Sequence, residues 1–387
     1  MSNQKNILIT KYNILLLIDK LENNDVSLYV VKLANYLFQN NVGVIILTSE
    51  CKIKNLIDHN IILITRKSIS NSILFNQKNI KFIQNVCETY SIDLINSFTL
   101  FTSYLAYNVI KKIKNIHYIT TILDIHFFMN YKHFLLKFSM INKSDKMICC
   151  DEYMFAYLIN KYHTSEEKIE INRNGVNIND FKIDNVKKWR IIDTIETIKT
   201  NVDNKILTYP CDFSFNYNDI IFLISVLSKL ERQDYKIILF GSFTEKNRQD
   251  RINIVDKIYN LKLNDKIILV DKFTDFKPLY LLSYAIIKLS SNDLCFDNSI
   301  LEIYALKKPV IATHNQFIDK YVINTQTGLL VRKNGFYETK RAIENMLDLD
   351  DKTYQQMCKN AYNYVCKHFD INKNFSKLDE IFYNICK

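Results

Sequence analysis

The sequence predicts an α/β protein made of two doubly wound parallel-sheet (Rossmann-like) domains. Apolar runs of strand length alternate with amphipathic helical segments, which is typical of parallel sheets covered on both faces. This alternation pauses once, over the polar and charged segment Phe181–Asn204, and then starts again. A length of 387 residues is also long for a single core, so two domains are expected.

Before the pause, the predicted strands are short apolar runs, and the helices between them repeat apolar residues at helical spacing. The predicted strands are Tyr12–Ile18, Val42–Thr48, Ile61–Thr65, Leu94–Asn96, His117–Ile122, Lys146–Cys149 and Ile169–Asn172. The predicted helices are Leu28–Gln39, Asn79–Thr89, Tyr104–Lys112 and Glu152–Lys161.

After the pause the same pattern returns. The predicted strands are Lys205–Tyr209, Tyr235–Phe240, Lys266–Val270, Ile286–Leu289, Val310–Ala312 and Gly328–Val331. The predicted helices are Asp219–Leu230, Arg251–Asn260, Lys277–Tyr284, a short helix carrying Glu302, Tyr354–His368 and Asn374–Cys386. Ligands of such folds bind beyond the carboxyl ends of the strands, here in a cleft between the two domains.

Composition narrows the class of protein. The net charge of +10 favours an anionic partner, but the lysines are spread along the chain without interleaved aromatic residues, which argues against nucleic acid. Nine scattered cysteines without a Cys-x-x-Cys pair indicate reduced thiols in the cytoplasm rather than a disulfide framework or a zinc site. No uncharged apolar run is long enough to span a membrane, and the N-terminus does not read as a signal peptide.

The segment Ser290–Val331 carries the most specific motifs. It contains Phe296, a helix with Leu301-Glu302 and Ala305, then Lys308-Pro309-Val310-Ile311-Ala312 and Thr327-Gly328-Leu329-Leu330-Val331. It resembles the C-terminal half of family 4 glycosyltransferases of the GT-B fold.

This resemblance implies an N-terminal acceptor-side domain at residues 1–180, to which the last helix at 370–387 returns. A linker at 181–204 and a nucleotide-sugar-binding domain at 205–369 complete the expected organisation. The resemblance also implies a reaction that needs neither a metal nor another cofactor.

The N-terminal half is similar to the same family. Leu17-Ile18-Asp19, the loop Glu22–Val26 and the helix that begins near Tyr29 look like its first strand, glycine loop and first helix. Asn24 and Asp25 replace the loop glycines, and Asn tolerates the left-handed conformation better than most residues.

Glu302 is expected to accept hydrogen bonds from the donor ribose, unless it is simply a solvated residue at the edge of the cleft. The helix start offers backbone N–H groups to phosphate. The expected donor-binding residues are Glu302, Asn298, Ser299, Ile300, Gly241, Lys272, Asn24 and Asp25.

Several family positions differ here. Cys211 and Asn216 occupy the positions of the family's phosphate-binding Arg and Lys, and Leu294 replaces the first acid of its acidic pair. The candidate replacements for the two missing cations are Lys246, Arg248 and Lys272.

The strand end at Thr120–His126 supplies the candidate catalytic residues Asp124 and His126. In the family a His precedes the acidic position, and Leu123 stands there in this chain. The alternatives are a packed or surface imidazole for His126 and a capping role for Asp124. The segment His126–Lys143 mixes apolar residues with lysines, which fits either a membrane-surface helix or a helix packed on the first sheet.

The sequence therefore predicts a retaining glycosyltransferase that moves a sugar from a nucleotide-sugar to a glycan or lipid-linked acceptor. Cell-surface polysaccharide or glycolipid synthesis in the cytoplasm, with peripheral contact at the inner face of an anionic membrane, is the expected setting. A non-catalytic relative that serves as a binding or scaffold subunit is the alternative, and a sugar-nucleotide epimerase of the same fold is a third.

Overall fold

A computed structural model describes residues 10–70, 77–123, 143–182, 185–198, 204–211, 213, 216–241, 245–271, 276–290, 299–315 and 318–387. The chain divides into two compact units. The first unit is Met1–Asn174 together with Ile371–Lys387, and the second is Gly175–Asp370.

The strands follow the apolar runs of the sequence closely. They are β1 (Asn13–Leu17), β2 (Gly43–Thr48), β3 (Ile62–Thr65), β4 (Leu94–Ser97), β5 (His117–Ile122), β6 (Lys146–Cys149), β7 (Ile169–Ile171), β8 (Lys205–Pro210), β9 (Tyr235–Gly241), β10 (Ile267–Asp271), β11 (Ala285–Lys288), β12 (Val310–Thr313) and β13 (Gly328–Val331).

Helices separate most of the strands, as expected for crossover connections between parallel strands. They are α1 (Asp25–Gln39), α2 (Gln77–Thr89), α3 (Leu100–Ile110), α4 (Glu152–Tyr162), α5 (Lys188–Ile198), α6 (Tyr217–Leu227), α7 (Arg248–Asn260), α8 (Lys277–Leu282), α9 (Ser299–Ala305), α10 (Phe336–Leu347), α11 (Asp351–His368) and α12 (Ile371–Cys386).

The first unit is a doubly wound sheet. Its described strands are all parallel and lie in the order β3-β2-β1-β4-β5-β6-β7, so the order reverses between β1 and β4. Alternate residues of β1 enter two cores. Leu16 packs with α1 and α12 on one face, while Leu15 packs with α2 and α3 on the other.

The second unit repeats this design. Its described strands are also parallel, in the order β10-β9-β8-β11-β12-β13, and the reversal falls between β8 and β11. Leu207 of β8 contributes to a core with α6, α7 and α10, whereas Ile286 of β11 packs with α9 and α11. The predicted fold class of two doubly wound parallel-sheet domains is confirmed.

The last helix, α12, is part of the first unit. Its side chains Phe375, Leu378 and Phe382 are buried in the core that contains β1 and α1. Phe375 also meets the ring of Tyr29 edge-on at 5.3 Å between centroids. The segment that the sequence assigns to the linker, 181–204, contains helix α5 and belongs to the second unit. Its polar composition hides this helix, because Thr194 and Ile198 are its only fully buried residues.

Helix α1 begins at Asp25, three residues before the predicted start. The side chain of Asn24 accepts a hydrogen bond from Ser27 N at 2.9 Å, so a capping interaction rather than the first apolar residue decides the boundary. Across the described ranges, the structure contains no helix that is both long and apolar enough to span a bilayer.

Candidate functional site

The carboxyl ends of β8, β11 and β12 form a connected edge in the second unit. Tyr209 donates its hydroxyl hydrogen to the carbonyl oxygen of Leu289 at 3.0 Å, which ties the end of β8 to the end of β11. Ser290 N donates to Thr313 Oγ1 at 3.1 Å, which ties β11 to β12. The strand order reverses here, so this edge is where a doubly wound domain takes its ligand.

Gly241 lies at the same edge, as the last residue of β9. A Cβ atom at this position would collide with the carbonyl oxygen of Cys211. The backbones of the two strand ends approach this closely because Cys211 N donates to the carbonyl oxygen of Phe240 at 3.0 Å. Gly241 is therefore required for the shape of this edge, whatever contact its backbone makes with a ligand.

Helix α9 carries the acidic residue that the sequence singles out. Its residues Ile300, Leu301, Ile303, Tyr304 and Ala305 are buried, whereas Ser299 and Glu302 are partly exposed. The hydroxyl groups of Tyr304 and Thr327 lie 2.8 Å apart and anchor the buried face. The helix is therefore held by its apolar side, and Glu302 stays at the surface.

The start of α9 contains the other predicted donor contacts. Ser299 is its first residue, and Asn298 lies outside the described residues. Because the side chain of Ile300 is fully buried, any contact that Ile300 makes with a ligand must use its backbone N–H. A backbone contact of this kind is the one that a phosphate at a helix start requires.

Of the candidate cations, Arg248 is the one whose side chain the structure describes. It is exposed and begins α7, immediately after the segment that follows β9. Lys272 lies outside the described residues, as does the side chain of Lys246. Arg248 is thus at the start of a helix that follows a strand of the ligand-binding edge.

The first unit has its own edge at the reversal between β1 and β4. Thr99 caps α3 and donates its hydroxyl hydrogen to Asp19 Oδ1 at 2.9 Å. Burial raises the pKa of the Asp19 carboxyl to about 6, although the Thr99 hydrogen bond acts in the opposite direction. Asp19 belongs to the motif Leu17-Ile18-Asp19 but is not among the site residues that the sequence predicts. A carboxylate directly after the first strand is the signal that could have identified it.

The loop before α1 differs from the expectation for Asn24. This residue has an extended backbone, with φ of −141°, and not the left-handed conformation that would imitate a glycine. It caps α1 instead, and Asp25 becomes the first helical residue. An acidic side chain in the first turn is favourable because it faces the positive end of the helix dipole.

Two sequence families match the chain. The family described as Glycosyltransferase Family 4 matches residues 26–180, and the one described as Glycosyl transferases group 1 matches residues 195–364. The chain belongs to the family 4, group 1 glycosyltransferases. It is therefore an enzyme of sugar transfer, and the family resemblance of the sequence is confirmed.

Solved structures of glycosyltransferases have the same fold. A Rickettsia africae glycosyltransferase has a TM-score of 0.85 and 22% identity, over 97% of this chain and 99% of its own. Anabaena HepE in complex with UDP has a TM-score of 0.79 and 16% identity, over 96% of this chain and 100% of its own. Sucrose-phosphate synthase from Thermosynechococcus elongatus has a TM-score of 0.72 and 16% identity, over 97% of this chain and 99% of its own. No curated protein matches the chain.

The structure describes some of the positions at which this chain departs from the glycosyltransferase motifs. Leu123, at the family's His position, is buried in the core of the first unit. Asp124 and His126, the candidate catalytic residues, lie outside the described residues, as does Leu294. Nearly all of the lysine-containing segment that starts at His126 lies outside them too.

Cys211, at the position of the family's Arg, is partly exposed beside the carbonyl oxygen of Phe240. Asn216 directly precedes α6. Within the ranges that the structure describes, no three His, Cys, Asp or Glu residues form a group that would hold a metal ion.

Proposed function

We propose that this glycosyltransferase takes a nucleotide-sugar donor at the carboxyl edge of its second unit. The observation that carries the proposal is Glu302, a partly exposed carboxylate on a helix whose other face is locked into the core. A carboxylate accepts two hydrogen bonds from neighbouring hydroxyl groups, which matches the two hydroxyls of a ribose.

The phosphates of the donor would lie at the start of α9, near the backbone N–H groups of Ser299 and Ile300. Arg248 at the start of α7, the one candidate cation whose side chain the structure describes, would add positive charge. Anabaena HepE, which shares the fold, has been solved with UDP and with UDP-glucose. These complexes support UDP-sugars as the first donors to test.

In this proposal the first unit binds the acceptor, a glycan or a lipid-linked sugar, and the transfer retains the anomeric configuration. Asp19 is the candidate contact for an acceptor hydroxyl, because it lies at the strand-order reversal of this unit and a carboxylate has lone pairs beyond the one that Thr99 occupies. The proposed role is cell-surface polysaccharide or glycolipid synthesis at the cytoplasmic face of the membrane, with no metal or other cofactor. A transfer rate that a chelator leaves unchanged would support the metal-free reaction.

Isothermal titration with UDP-sugars and GDP-sugars tests the donor site. We expect measurable heat with at least one of them, and a loss of at least about tenfold in affinity for Glu302→Ala, which corresponds to about 1.4 kcal/mol. Glu231→Ala is the matched control, because Glu231 is exposed in the same unit but precedes β9, at the opposite edge of the sheet.

Two results would contradict the proposal. Wild-type protein that gives no heat with any nucleotide-sugar at millimolar concentration would remove the donor site. Equal losses for Glu302→Ala and Glu231→Ala would remove Glu302 from it. The anomeric configuration of a transferred sugar, read by NMR, decides whether the transfer is retaining.

A further inference from the structure

A pocket of about 640 Å³ lies at the amino-terminal edge of the second sheet. Lys307 and Lys308 lie three and two residues before Val310, the first residue of β12, so they mark this edge. Helix α11 supplies the other wall, where Tyr354, Cys358 and Tyr362 repeat every four residues and so lie on one helical face, with Lys359 next to Cys358. The pocket is therefore opposite the edge where β8 and β11 end.

The charge in this pocket is unusual. Three lysines line it, Lys307, Lys308 and Lys359, and no carboxylate does. In the described part of the chain, no acidic side chain lies within ion-pair distance of any of the three. Burial lowers the pKa of Lys308, because its ammonium group has lost part of its hydration. A bound anion would restore the favourable interactions that this ammonium group lacks.

A smaller pocket of about 330 Å³ adjoins the first. The two share Leu306, Lys307 and Tyr362, and the Lys307 Nζ atom lies 5.0 Å from the centroid of the Tyr362 ring. Ile178, Phe181 and Ala305 add apolar side chains to its lining, and the exposed Lys182 adds a second lysine. A pocket lined by three lysines thus adjoins one that combines apolar side chains with Lys182 and Lys307.

We propose that these two pockets form a binding site for a phosphate group attached to an apolar chain. The phosphate would lie between Lys308 and Lys359, and the chain would pass Tyr362 towards Phe181. Such a ligand is either a soluble phosphorylated amphiphile or the headgroup region of an anionic lipid. The site is separate from the proposed donor site, so it does not depend on that proposal.

Titration of the full-length protein with octyl phosphate, octyl glucoside and inorganic phosphate tests the site. We expect octyl phosphate to bind more tightly than inorganic phosphate, and octyl glucoside, which has the chain without the charge, not to bind. The double variant Lys308→Met/Lys359→Gln should lower the affinity for octyl phosphate by at least about tenfold. Lys352→Gln should not, because Lys352 is exposed on the same helix but does not line the pocket.

Co-sedimentation with vesicles separates the two sources of the ligand. Retention on vesicles of phosphatidylcholine with phosphatidylglycerol, lost in the double variant, identifies a lipid headgroup. Binding of octyl phosphate without such retention identifies a soluble ligand. Both outcomes support the site.

Three results would overturn it. The first is no binding of octyl phosphate to wild-type protein. The second is binding that the double variant leaves unchanged or that Lys352→Gln weakens equally. The third is binding of octyl phosphate that is weakened by Glu302→Ala and not by the lysine variants, because the ligand would then occupy the donor site. Melting temperatures of all variants verify folding. If Lys308→Met unfolds the unit, the single variant Lys359→Gln, at an exposed position, replaces the double variant in the binding test.

Discussion

Replacing Asp19 with Asn is expected to stabilise the first unit at neutral pH. Burial raises the pKa of the Asp19 carboxyl from the ordinary 3.8 to about 6. Ionising this group costs more in the folded protein than in the unfolded chain, so its charged form opposes folding. Asn keeps the oxygen that accepts the hydrogen bond from Thr99 and carries no charge.

The magnitude follows from the difference in pKa. A difference of about two pH units corresponds to about 3 kcal/mol once both the folded and the unfolded forms are ionised. Because Asp19 is still partly exposed, solvent recovers part of this cost, and we expect a net gain of about 1–2 kcal/mol.

The pH dependence has a definite sign. Because the folded-state pKa is the higher one, the stability linked to the protonated carboxyl is fully present below about pH 4. It is lost as the pH rises to about 6. The Asn variant should therefore match the wild type near pH 4 and exceed it above pH 6.

Unfolding by urea, followed between about pH 4 and pH 8, measures this difference. Glu88→Gln is the control, because Glu88 is exposed on α2 of the same unit. A variant that is no more stable than the wild type at pH 8 would refute the reasoning. An equal gain from Glu88→Gln would assign the effect to net charge instead.

Three further changes test the packing and the helix cap. Gly241→Ala should destabilise the second unit by at least about 2–3 kcal/mol, because the new methyl group meets the backbone of Cys211. Gly335→Ala should cost less in the same urea titration, since its closest contact is a side-chain oxygen of Glu338; equal costs would contradict the argument. Asn24→Ala should cost about 1 kcal/mol through the lost cap of α1, and an unchanged melting temperature would exclude that cap. Phe382→Ala should cost about 3–5 kcal/mol and raise hydrogen exchange in the first unit, whereas exchange raised only in the second would contradict this.

Much of the fold follows from local sequence pattern. The runs that form β1, β2 and β9 each contain four consecutive apolar residues, and burial on both faces of a parallel sheet makes such runs easy to recognise. Helix α5 was missed because it buries little of its surface, so its sequence reads as a charged linker. The start of α1 was misplaced because a single hydrogen bond to Asn24 sets it.

The candidate site was less predictable. Glu302 follows from a motif, and its exposure is compatible with the predicted role. The position of the Asp19 carboxyl depends on a hydrogen bond from Thr99, which is distant in sequence. The two residues meet only because β1 and β4 are neighbours in the sheet. The lysine pocket likewise joins the start of β12 to a face of α11, and neither segment alone indicates a ligand.

The place of α12 in the first unit constrains synthesis on the ribosome. The sheet of that unit emerges early, but the helix that covers Leu16 and its neighbours is made only after the whole of Gly175–Asp370. Until α12 is synthesised, this apolar surface is exposed to solvent. The nascent first unit is then prone to aggregation and is expected to bind chaperones. Deletion of α12 would therefore destabilise the first unit, whose sheet is synthesised before the second unit.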